Sequence, residues 1–220
     1  MSSEINGKNA TGRLSRCYTG VVHDVMRAKG FRDFTFPPDL RPLDPSLVLC
    51  GPAFTITGVA KQTDAHETLL AWTGLLSKVP AGHIWVSQPN DRVVAHMGEL
   101  SAETLKNKGV LGCVADGYIR DTNFLLSLGF PSWGRGYTPR DIVGHWLPTH
   151  TNVEIQIGDV SILPGDYLLG DRDGMVRVPK ASLEEILSAS EEAIATENLV
   201  RKAILEGVDP REAYLRHGKF

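Results

Sequence analysis

Apolar residues recur at helical spacing at Leu14, Tyr18, Val21, Val22 and Met26, and Gly30 closes that segment, so the pattern predicts one helix there. The polar residues 1–10 before it are expected to fray. The run Phe36 to Pro42 is proline-rich and irregular. From Pro52 to Ala60, apolar and small polar residues alternate with the period of a strand. Thr63-Asp64 caps a predicted helix carrying Leu69, Leu70, Trp72, Leu75 and Leu76. Pro80-Ala81-Gly82 turns the chain into a strand over His83–Ser87, and Gln88-Pro89-Asn90-Asp91 turns it again.

The stretch His96–Gly136 parses as loop, helix, strand, loop, helix, strand. Its first helix carries Leu105 and stops at Gly109; Val110–Ala115 is a short apolar run of strand length. Asp116-Gly117 is a turn, and Asp121 stands where it would cap the helix of Phe124, Leu125 and Leu128. Beyond Thr138-Pro139-Arg140-Asp141, a loop near this region, short strands are predicted at Val153–Ile157, Val160–Leu163, Tyr167–Leu169 and Met175–Val178. Gly-Asp and Pro-Gly-Asp turns separate them as in an antiparallel meander.

A long helix follows, with Ser182 and Glu185 spaced as a capping box. Leu183, Ile186, Leu187, Ala193, Ile194, Val200 and Ile204 form its apolar stripe, Gly207 ends it, and Asp209-Pro210 opens a last short helix. The order of elements gives an α/β fold. With few parallel strands it is a layered α/β/β/α sandwich rather than a doubly wound sheet, ending in a long C-terminal helix. We read residues 1–220 as a single domain, with a core over about 14–180 and a helical extension over about 181–220.

The net charge of −3 and the lack of a Lys/Arg cluster speak against a nucleic-acid partner. No apolar run reaches membrane-spanning length, and the N-terminus has no apolar signal core. Cys17, Cys50 and Cys113 show no CxxC spacing and read as idle thiols of a reducing cytoplasm. His66, His83, His96 and His145 lack metal-ligand spacing and read as structural or pocket-lining. There is no Gly-x-Ser-x-Gly elbow and no phosphate-binding glycine loop.

Glu99 heads one helix and Arg120-Asp121 the next. One helix and one strand fit between them and return the chain to the same sheet edge. Two carboxylates and a guanidinium can meet there beside two helix N-termini, a setting for a divalent cation and a small carboxylate. The blander reading makes Arg120-Asp121 a cap with a surface pair and Glu99 a first-turn acid favoured by the helix dipole. Glu197 stands on the apolar stripe of the long helix, either as an edge contact or as a carboxylate reaching a neighbouring subunit.

The ordered set Gly98-Glu99-Leu100, Asp116-Gly117-Tyr118-Ile119-Arg120-Asp121, Gly129-Phe130-Pro131, Gly136-Tyr137-Thr138-Pro139, Pro164-Gly165-Asp166 and Gly170-Asp171-Arg172-Asp173-Gly174 resembles the RraA-like superfamily over residues 14–180. That group holds metal-dependent class II pyruvate aldolases acting on 4-hydroxy-4-methyl-2-oxoglutarate and 4-carboxy-4-hydroxy-2-oxoadipate, and regulators of ribonuclease E. Its signature is an acidic residue, an intervening segment, then Arg-Asp, which Glu99, Arg120 and Asp121 match.

The resemblance implies trimers or hexamers with sites between subunits, magnesium or manganese on Asp121, and Arg120 on the pyruvyl group of a 2-oxo acid. It implies a water held by Glu99, backbone amides around Gly98, Leu100 and Ser101 receiving the substrate carboxylate, and Glu197 as the carboxylate lent by a partner. The expected activity is cleavage of a 4-hydroxy-2-oxo acid to pyruvate and a second oxo compound, with oxaloacetate decarboxylation at the same site. The competing reading is a non-catalytic regulator that binds a ribonuclease; another metal-dependent lyase, hydratase or tautomerase is the third. Tyr118-Ile119 stands where small residues are common in the family, which is expected to narrow the pocket.

Overall fold

The computed structural model describes residues 9–219. A short helix over residues 9–14 (α1) precedes α2, Thr19–Ala28. The predicted single helix is therefore two. A turn intervenes, and Asp171 starts α2 afresh by accepting the Thr19 N–H (2.8 Å) and hydroxyl (2.7 Å). The strands are β1 (Arg41–Pro42), β2 (Leu49–Ala60), β3 (Ile84–Gln88), β4 (Gly112–Ala115), β5 (Ser132–Gly134), β6 (Trp146–Thr151), β7 (Ile155–Ile157), β8 (Val160–Ile162), β9 (Tyr167–Gly170) and β10 (Met175–Val178). The remaining helices are α3 (Ala65–Lys78), α4 (Glu99–Asn107), α5 (Thr122–Leu128), α6 (Leu183–Leu205) and α7 (Pro210–His217).

Strands β2 to β5 form a parallel core, flanked by antiparallel β1 beside β5 and by β6, β9 and β10 beyond β2. Strand period sorts the side chains into layers. Trp85, Cys113 and Ala115 face α3–α5 in one apolar layer. Ile84, Val86 and Val114 face the opposite way and meet Leu168, Met175 and the β7–β8 hairpin in a second. Leu169, Val176 and Val178, on the far side of β9–β10, pack under α2 and α6. The result is the expected α/β/β/α sandwich with a long C-terminal helix.

Two expectations are corrected. The meander is two separate hairpins, because the 164–166 turn is steered onto β2: Gly165 N–H donates to Ala53 O (2.9 Å) and Ala53 N–H to Asp166 O (2.8 Å). Strand β6, unforeseen, is a half-exposed strand carrying Pro148. It comes so close to β2 that a Cβ on Gly58 would lie 1.9 Å from the Trp146 ring. The Ser182 capping box does not form either; a 3-10 turn, Lys180–Ser182, leads into α6 and Ser182 makes no capping bond.

Asp166 is the polar hinge of this corner. It is buried; Oδ2 accepts the Leu163 N–H (3.0 Å) and Arg177 Nε (2.8 Å), and Oδ1 accepts the Lys180 N–H (2.9 Å). Asp166→Ala leaves Arg177 and two amides without their acceptor. It is expected to destabilise the fold by about 3 kcal/mol, read as a lower urea midpoint at unchanged slope.

Candidate active site

Loops leave the carboxyl ends of β3, β4 and β5 side by side, the edge where α/β sheets take ligands. Hydrogen bonds sew them together. His96 N–H donates to Tyr118 O (2.8 Å), Arg120 N–H to Met97 O (2.9 Å), Ile119 N–H to Gly136 O (3.0 Å) and Ala95 N–H to Arg140 O (2.9 Å). Segments 95–97 and 118–120 thus run in parallel, which sets Gly98-Glu99 beside Arg120-Asp121.

Asp121 holds the N-cap position of α5 in the left-handed region (φ 57°, ψ 37°) yet makes no side-chain capping bond to α5. The expected cap is corrected. Its Oδ2 accepts the Glu99 N–H of α4 at 3.1 Å, with Arg120 Nε 3.4 Å from the same oxygen. A left-handed Asp costs on the order of 1 kcal/mol, as backbones at functional sites often do. No donor among the described residues reaches Oδ1. Gly98 makes the approach possible, since a Cβ there would lie 2.6 Å from Asp121 Oδ2.

The first intrahelical bond of α4 is Ala102 N–H to Gly98 O (3.0 Å), so the Leu100 and Ser101 N–H groups have no helical partner. The Ser101 hydroxyl points elsewhere and accepts Trp72 Nε1 at 2.9 Å. Arg120 Nη1 lies 3.6 Å from Asp141 Oδ2, which sequence reasoning placed only in a nearby loop. Ile119 is fully buried and takes nothing from the site; of the pair expected to narrow it, only Tyr118, whose ring lies over Gly136, remains a candidate.

Glu197 is not among the partners of these residues. It lies on α6 among α2 and α7, bonded to the Tyr18 hydroxyl and 2.7 Å from Lys219 Nζ. Burial opposes its ionisation, but Lys219 and Tyr18 outweigh burial and hold the carboxyl below its usual range. Burial and the Glu197 bond together push the Tyr18 phenol up to about 12. A groove of about 400 Å³ opens beside them, lined by Tyr18, Glu197, Val200, Arg201, Ile204 and Leu205. The Arg120 and Asp121 side chains, 36% and 35% exposed, lie on an open surface of the single chain.

A second polar cluster supports the site from behind, and no spacing rule pointed to it. Asp91 Oδ2 accepts the Val93 and Val94 N–H groups (3.0 Å each) and lies 3.1 Å from His96 Nε2; Oδ1 lies 3.1 Å from His145 Nε2. Burial opposes ionisation of Asp91, yet these donors prevail and pull it down to about 2. Burial likewise pulls His96 down to about 4 despite Asp91, and its ring stands edge-on to Trp146 with centroids 5.0 Å apart. The unfolded chain therefore protonates His96 below about pH 6.5 while the folded chain waits until about pH 4. Stability present above pH 6.5 is expected to fall by roughly 1.4 kcal/mol per pH unit through that window. Melting temperatures from pH 7 to 4.5 should drop more steeply for the parent than for His96→Phe.

The fit to a metal is that of a hard cation with few protein ligands. The described residues offer no cluster of three or more His, Cys, Asp or Glu able to cage an ion. Among the described residues Asp121 Oδ1 has no hydrogen-bond donor, and it stands beside a guanidinium and a helix N-terminus. One carboxylate plus waters suits Mg²⁺ or Mn²⁺ and not a structural zinc.

Residues 19–177 match the RraA-like family, described as Aldolase/RraA. The chain belongs to the RraA-like family. Helices α6 and α7 lie beyond the matched segment. Among its relatives, a Halalkalibacterium halodurans protein named "Putative 4-hydroxy-4-methyl-2-oxoglutarate aldolase" is 29% identical over 80% of this chain and 81% of its own. A solved structure described as of novel cellulases from gut-associated microbes is 32% identical, with a TM-score of 0.82 over 87% of this chain and 86% of that one. An RraA protein of Streptomyces coelicolor, described as an unusual member of the RNase ES inhibitor family, is 27% identical with a TM-score of 0.78 over 88% and 96%.

Proposed function

We propose that this RraA-like protein is a divalent-metal-dependent lyase cleaving a 4-hydroxy-2-oxo acid to pyruvate and a second oxo compound, and decarboxylating oxaloacetate at the same site. The observation that carries the reading is the meeting of Arg120, Asp121 and the α4 N-terminus, with Asp121 Oδ2 on the Glu99 N–H. The aldolase name of the H. halodurans relative supports it.

Asp121 would hold Mg²⁺ or Mn²⁺, which supplies Lewis-acid polarisation of the 2-oxo acid. The Arg120 guanidinium receives the 2-oxo oxygen as it gains charge. The Leu100 and Ser101 amides, beside Gly98, receive the substrate carboxylate. Glu99 takes the proton of the 4-hydroxyl through a water. The C3–C4 bond then breaks, its electron pair passes to pyruvate enolate, and reprotonation at C3 gives pyruvate.

The open surface around Arg120 suits closure by a second copy in a trimer or hexamer, with Glu197 entering from the partner. Three buried, unpaired thiols suit a reducing cytoplasm. The likeness to the Streptomyces protein supports a ribonuclease regulator as the second reading. The meeting of Asp121, Arg120 and the α4 N-terminus favours the enzyme.

A panel of 4-hydroxy-2-oxo acids and oxaloacetate, assayed for pyruvate with Mg²⁺ and then with EDTA, tests the proposal. Metal-dependent release of pyruvate is the expected result. No turnover of any member, with a ribonuclease recovered in a pull-down, would favour the regulator.

A further inference from the structure

Arg120 has a long side chain, and its task needs a fixed direction. Its Nε edge faces Asp121 Oδ2 at 3.4 Å and its Nη1 faces Asp141 Oδ2 at 3.6 Å. Both separations exceed the roughly 2.8 Å of a charge-assisted hydrogen bond, so the pairs align the guanidinium without saturating its N–H groups.

Asp141 arrives on the loop after β5 and is itself fixed. Its Oδ1 accepts the Val143 N–H at 3.1 Å. The loop is tied down on either side: Arg140 O accepts the Ala95 N–H (2.9 Å), and His145 Nε2 lies 3.1 Å from buried Asp91 Oδ1. The Arg120 clamp thus has one arm on the β4 loop and one on the β5 loop.

We infer that Asp141 is a positioning residue: it holds the Nη end of Arg120 and sets the direction from which the guanidinium meets the 2-oxo acid. The inference rests on the lyase reading, in which Arg120 contacts the substrate and Asp141 does not. Charge gives it a signature that a merely structural role lacks. Without the Asp141 charge, Arg120 loses its direction and turnover falls. An enolate-like dianion is then held less tightly, while the bond to the Val143 N–H, and with it the fold, stays in place.

Asp141→Asn keeps the Oδ1 acceptor for Val143 and removes the charge. The probes are oxalate, a stable dianion shaped like pyruvate enolate, titrated calorimetrically into Mg²⁺-loaded protein, and oxaloacetate turnover. The expected result is a kcat about tenfold lower with an oxalate Kd raised by a similar factor and an unchanged melting temperature. Asp141→Glu restores part of kcat, and Asp141→Asn has no effect on kcat in an Arg120→Ala background. An unchanged kcat overturns the inference, as does a joint loss of kcat, oxalate affinity and melting temperature. A parent that neither turns over oxaloacetate nor binds oxalate sinks the lyase reading and this inference with it; an active parent with an indifferent Asp141→Asn sinks the inference alone.

Discussion

Asp121→Ala is expected to lower kcat/KM for pyruvate release from oxaloacetate by about 10³-fold while leaving the protein folded. The side chain is 35% exposed and its one hydrogen bond caps α4, so its loss costs about 1 kcal/mol of stability. In the proposed lyase its carboxylate would hold the cation next to Arg120. Removing a group that stabilises charge in the transition state costs about 10²- to 10³-fold even where other donors remain. Steady-state kinetics with Mg²⁺ in excess, beside far-ultraviolet circular dichroism, separate the two effects. Loss of activity in step with loss of fold would contradict the assignment.

The second large effect comes from a residue with no side chain. Gly98 has an extended backbone (φ −153°, ψ −177°) that any residue adopts, so Gly98→Ala brings no torsional strain. The added Cβ would sit 2.6 Å from Asp121 Oδ2 and 3.2 Å from Arg120 Cγ and Nε. Both side chains must move by a fraction of an ångström to one ångström, which in a preorganised site costs about 10²-fold in kcat/KM. Stability should fall by only about 1 kcal/mol, because Ala is a poorer N-cap than Gly. Kinetics and a urea melt of the variant check both halves; wild-type turnover would show that Asp121 and Arg120 need not stand where they do.

What the sequence disclosed follows physical lines. The strand period of residues such as Ile84, Trp85 and Val86 divides them between two apolar layers, and that alternation was legible. So was the spacing that returns Glu99 and Arg120 to one sheet edge, because a helix and a strand have fixed reach. Strand β6 was not legible, since Trp-Leu-Pro-Thr-His-Thr lacks the pattern of a strand buried on one face. Nor was the direction of the Asp121 side chain: a cap is a local signal, and here a left-handed backbone turns the carboxylate to a helix head 22 residues away. Asp91, His96 and His145 meet through loops of unrelated spacing, and only coordinates could bring them together.

Manganese titrated into the intact protein, with free ion followed by electron paramagnetic resonance, tests the central claim most directly. The account predicts one site per chain, weakened at least about tenfold in Asp121→Ala. Equal affinity in the parent and in Asp121→Ala would contradict it.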